Sequence, residues 1–207
     1  MTSLVYNITQ KEPPVDIREA LRYAGVRGDD ETLEALAQEC ASELLPTLSY
    51  RVCYLEADIN EPAIRNIVDG SASLSRALCG AVSVVIFAAT VGIGPDRLVA
   101  KASVTSPARA LMYQALGAER IEALCDLFCF DMAQRCGARG LACTRRFSPG
   151  YGDLSLEKQR DIFALLGCER QIGLTLNDSL LMSPTKSVSA IFGLCPKDND
   201  PENGENQ

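Results

Sequence analysis

Histidine is absent from the 207 residues. With it go the commonest general base near neutral pH, the commonest metal-binding side chain and the usual partner of a serine or cysteine nucleophile. Hydrolases built on a triad are largely excluded. No stretch reaches the roughly 20 apolar residues that a bilayer-spanning helix needs. The longest run, Ala81 to Ile93, is interrupted by Ser83, Thr90 and Gly92 and reads as a buried strand. Met1 to Gln10 holds no basic region followed by an apolar block, so no export signal is expected. Positive charge is in deficit. Lys and Arg number 20 against 27 Asp and Glu, a net charge of −7 whose field repels a phosphate backbone, so no nucleic-acid partner is expected. No internal repeat stands out.

Nine cysteines are present, an odd number spread along the chain, which points to free thiols in a reducing cytoplasm. The 47% hydrophobic content suffices for a core without metals or cross-links. One domain over residues 1–195 is expected, followed by an acidic, apolar-poor tail over 196–207 that reads as disordered.

Pro13 and Pro14 precede Val15 to Ala24, where Ile17, Leu21 and Ala24 recur at helical spacing and Gly25 ends the pattern. Asp29 and Asp30 can cap a second helix to about Leu45, closed by Pro46. Ser49 to Asp58 alternates as a strand and leads into a loop around Glu61 and Pro62. Ser73 to Leu78 reads as a helical turn, and the β-branched run Val82 to Thr90 as a central strand. Helical patterns fill Pro95 to about Gln134, with breaks near Ser106 and Pro107 and at Gly117. After the turn-forming Ser148 to Gly152, a helix is expected over Ser155 to Leu166, then strands over Ile172 to Leu176 and Ser187 to Leu194. The order predicts an α+β fold with a mixed or antiparallel central sheet and flanking helices.

Cys125, Cys129 and Cys136 share one side of a helical pattern, but buried thiols on an apolar helix read as core rather than as a metal site. More informative is Arg145-Arg146-Phe147-Ser148-Pro149-Gly150-Tyr151. Arginine offers a planar fork to a carboxylate, the turn exposes backbone groups, and tyrosine can pack or hydrogen-bond, which together suit an amino-acid nucleotide. From chemistry alone, a surface turn with one ion-paired arginine is the alternative.

The run Arg146 to Leu154, followed by Leu156-Glu157-Lys158-Gln159, resembles the signature of the activation family of cobalamin-dependent methionine synthase. Ile172 to Ser179 and Met182 to Ala190 resemble segments that follow it, and Glu19 to Gly25, Ala88 to Gly92 and Gly117 to Asp126 resemble patterns that precede it. The resemblance implies a free-standing short form of the activation domain, which binds S-adenosylmethionine for reductive methylation of an oxidised corrinoid. Residue by residue it implies that Arg146 holds the ligand carboxylate and that Ser148, Pro149 and Gly150 frame the adenine end. Phe147 and Tyr151 complete the pocket, and Glu122 takes the amino group, with Glu119 and Asp126 close in register. Lys186 reads as an exposed loop cation and stays outside the site.

The large fused enzyme's homocysteine, folate and corrinoid modules are not recognised in this chain, and the family's domain continues beyond the point where this sequence ends. The resemblance therefore implies cobalamin carried by a separate partner, a cobalamin-dependent methionine synthase core, with an electron donor such as a flavodoxin or ferredoxin. No membrane and no metal ligand is implied, and no acid–base residue, because the protein's task would be positioning and exclusion of water. Two other readings stand beside it: a free-standing S-adenosylmethionine-dependent methyltransferase, and a ligand-free adaptor of a corrinoid protein.

Overall fold

The computed structural model describes residues 4–6, 12 and 14–197. The expected tail falls almost wholly on residues 198–207, which lie outside the described residues, as does Pro13. Five strands form one antiparallel sheet: β1 (Leu4–Tyr6), β2 (Arg51–Asp58), β3 (Ser83–Thr90), β7 (Ser187–Pro196) and β4 (Leu141–Cys143), in that spatial order. The β-branched run of β3 takes the middle position, where both faces are covered and every residue from Val84 to Thr90 is buried. The α+β expectation thus resolves to a wholly antiparallel sheet. A two-stranded ribbon, β5 (Thr175–Leu176) with β6 (Met182–Ser183), lies outside it.

One face is covered by α6 (Pro107–Gly137), through Ile121, Leu124, Cys125, Phe128, Met132 and Cys136. The other carries four short helices, α3 (Pro62–Val68), α4 (Ala72–Ala77), α7 (Lys158–Leu166) and α8 (Cys168–Ile172). A third apolar cluster joins α1 (Ile17–Tyr23), α2 (Glu31–Leu44) and α5 (Gly94–Thr105) to the first half of α6. Asp16 caps α1 by accepting from the Glu19 amide, and Asp30 caps α2 by accepting from Thr32 and Leu33.

Several expectations are corrected. The segment after Glu61 is a helix, because Pro62 occupies its first turn, where a missing N–H costs nothing. Gly117 does not break α6: the aliphatic stem of Lys186 lies over it, at 3.0 Å from where a Cβ would stand. Lys186 is accordingly half-buried rather than an exposed cation, and burial pushes its pKa down. Ile172 to Leu176 is no continuous strand; α8 ends at Ile172, and Gly173, with φ of 69°, turns the chain into the two-residue β5. Helix α7 starts at Lys158, three residues after Ser155, whose hydroxyl instead accepts from the Glu157 amide at 3.3 Å.

Candidate functional site

Glu122 and Asp126 stand four residues apart on α6 and so project from the same side, one turn above the other. Across from them the chain leaves β4 and runs extended through Thr144 to Phe147, with successive side chains thrown to opposite faces. Arg146 falls on the α6 side. Its guanidinium donates to Asp126 at 2.6 Å and to Glu122 at 2.5 Å, with 26% of its side chain exposed. Burial pushes the arginine's pKa down, but the neighbouring Cys125, Asp126 and Glu122 outweigh it and hold the pKa above its ordinary value. The guanidinium is a permanent cation.

Phe147 falls on the opposite side. Its backbone exchanges hydrogen bonds with Ile191 of β7 at 2.8 and 2.9 Å, and its ring packs into the core beneath the short helices. The turn that follows is closed by its own backbone: Tyr151 donates to Ser148 at 3.1 Å, Gly150 to Leu154 at 2.8 Å, and Leu154 to Tyr151 at 3.0 Å. Gly150 has φ of 90°, which a side chain would strain. Pro149 is buried, Ser148 half-buried and Gly150 exposed. Tyr151 is 72% exposed, its ring edge-on to Phe147, so it is not a core aromatic.

The structure therefore brings Glu122 and Arg146 into contact and adds Asp126, which the sequence reading named only as a register neighbour. Its signal was the i, i+4 spacing from Glu122. Phe147 and the Ser148–Tyr151 turn continue from Arg146 but leave toward the other face of the sheet edge. The ion cluster divides two hollows. On one side an open groove of about 900 Å³ runs between the start of α1 and α6, floored by Ala123, Leu127 and Phe130. On the other a cleft of about 380 Å³ is lined by Cys129, Cys143, Thr144, Arg145 and Phe192. Glu122 lines the first, Arg146 the second, and Asp126 both.

Cys125 and Cys136 are fully buried in the core, as their helical spacing suggested, and Cys129 sits at the cleft wall with its thiol pKa raised by burial. Among the described residues no group of three or more histidine, cysteine or acidic side chains is placed to hold a metal ion. No described helix is long and apolar enough to cross a membrane.

Comparison with known proteins finds similarity to one family and one fold. The family model described as vitamin B12 dependent methionine synthase, activation domain, matches residues 142–199, the stretch that contains Arg146, the turn and β7. Among solved structures, the MetH reactivation domain bound to AdoHcy has the same fold. It is 16% identical, and the match covers 94% of this chain and 78% of that one at a TM-score of 0.60. No curated protein sequence matches. The resemblance read from the Arg146 to Leu154 motif is thus found again in the family model and in the fold.

Proposed function

We propose that the chain is an accessory reactivation protein that binds S-adenosylmethionine and supports reductive methylation of the oxidised corrinoid of a separate cobalamin-dependent methionine synthase. The observation that carries this reading is the Arg146–Glu122–Asp126 cluster, whose arginine lies in the matched stretch and whose carboxylates come from α6. One guanidinium and two carboxylates sum to a formal charge of −1, complementary to a ligand bearing a carboxylate, an ammonium and a sulfonium. Arg146 would receive the ligand carboxylate and Glu122 the ammonium, with exposed Tyr151 and the Gly150 backbone on the far side of the turn.

The exchange is inexpensive. Glu122 and Asp126 keep 40% and 74% of their side chains exposed. Such partly solvated ion pairs contribute about 0–1 kcal/mol, less than a desolvated bidentate contact to a ligand returns. When bound, S-adenosylmethionine supplies a methyl group on a sulfonium, and the partner's cobalamin supplies the acceptor. This chain's residues need only orient the ligand and exclude water. A flavodoxin or ferredoxin fits as electron donor, and the nine free cysteines suit a reducing, cytoplasmic setting.

A ligand-free adaptor is the second reading, favoured by the fact that Arg146 is already satisfied by its own carboxylates. Calorimetric titration of S-adenosylmethionine, alone and with a cobalamin-loaded methionine synthase core, separates the two. Binding whose dissociation constant rises at least about tenfold in Arg146→Ala, as expected for loss of a charge-assisted contact, supports the site. Absence of binding in both settings would leave the adaptor.

A further inference from the structure

The two ends of the Ser148–Tyr151 turn are held by different means. The near end is stitched to β7 through Phe147 and Ile191. The far end has no strand beside it. There, the Asp153 carboxylate reaches across to the start of α4, accepting from the Ser71 hydroxyl at 2.6 Å, the Ala72 amide at 2.9 Å and the Ser73 amide at 3.1 Å. Ser71 is itself 97% buried by the complement of its 3% exposure, and its oxygen accepts from the Leu74 amide at 3.0 Å. Leu74 is fully buried in the cluster that also contains Leu154, so α4 is an anchored base. Gly152 lets the turn settle onto that base, since a Cβ there would stand 3.1 Å from the Ser73 side chain.

A carboxylate two residues past the turn thus does for α4 what an N-cap does from within a helix. The hydroxyl and amides that hold it, the Ser71 hydroxyl foremost, bring the Asp153 pKa down to about 2, so it is ionised at every working pH. We infer that Asp153 is a positioning residue for the proposed S-adenosylmethionine site, fixing the far end of the Ser148–Tyr151 turn relative to Arg146. The inference rests on the ligand reading above.

The test uses the full chain, with the methionine synthase core present if the chain alone does not bind, and compares Asp153→Ala and Asp153→Asn with the unaltered protein. Two quantities are read: affinity for S-adenosylmethionine, and amide hydrogen exchange at Gly150 and Leu154 with Leu124 to Phe128 of α6 as reference. Asp153→Ala should weaken binding about tenfold, the scale of a lost cap, and speed exchange in the turn while α6 is unchanged. Asp153→Asn, which keeps one acceptor oxygen but loses the other and the charge, should recover only part of both. Wild-type affinity in Asp153→Ala overturns the assignment, and so does an equal rise of exchange in α6, which would mark general destabilisation. If the unaltered protein does not bind, the ligand reading fails, and exchange alone decides Asp153: an unchanged turn overturns it.

Discussion

Phe128 sits where four other rings meet, with centroids at 4.8 Å from Phe87, 5.1 Å from Tyr6, 5.5 Å from Tyr54 and 6.5 Å from Phe192. It is fully buried, so Phe128→Ala should cost about 3–5 kcal/mol, read as a lower denaturant midpoint at unchanged slope. Asp153 makes a different prediction, because its folded pKa of about 2 lies below the roughly 3.9 of an unfolded aspartate. A depressed carboxylate stabilises the fold above its unfolded pKa, and the contribution disappears as pH falls through the folded value. The stability gap between the protein and Asp153→Asn should therefore be constant from pH 5 to 7 and close between about pH 4 and 2 in paired urea titrations; a gap that persists at pH 2 would refute it. At this scale Arg146 was singled out through the motif and Glu122 through the resemblance of Gly117 to Asp126, although no periodicity could pair residues 24 apart as the structure does. Asp126 was legible only as a register neighbour of Glu122, and the Asp153 to α4 contact not at all, because it depends on which elements tertiary packing brings together.

Elements were most legible where local chemistry and burial agree. The Asp30 cap and apolar stripe of α2 were read from sequence, and removing that cap is expected to show. Asp30→Ala leaves the Thr32 and Leu33 amides without their acceptor and should cost about 1 kcal/mol, seen as a small drop in thermal midpoint; Asp30→Ser should recover most of it. The alternation of β2 and the β-branched run of β3 gave two neighbouring strands for the same reason. Proline and glycine were misread where their roles are positional. Pro62 begins α3 instead of marking a loop, and Gly117 lies mid-helix because the stem of Lys186, 69 residues further on, fills the space above it. Local composition cannot announce such a distant filler. Gly94 is a sharper case: a Cβ would stand 2.3 Å from the Thr47 carbonyl oxygen, a backbone atom with nowhere to move. Gly94→Ala should destabilise by about 1–3 kcal/mol or more, checked by denaturant titration.

At the scale of the whole molecule, α6 connects what would otherwise be two bodies. Its 31 residues extend about 46 Å at 1.5 Å per residue. The first half gives Ala110, Met112, Tyr113 and Leu116 to the helical cluster, and the second gives Leu124, Phe128 and Met132 to the sheet. A helix gains most of its stability from the faces it buries, so loss of one cluster weakens the segment on which the other is built. The single domain expected from composition then becomes a measurable coupling. Leu116 is fully buried among α1, α2 and α5 residues, and Leu116→Ala should cost about 2–5 kcal/mol. With the halves coupled, native-state hydrogen exchange should report that loss in the slowest amides of β3, far from the substitution, as fully as in those of α2. A loss confined to α2, with β3 exchanging as before, would mean that the helical cluster unfolds alone and that the sheet keeps its own stability.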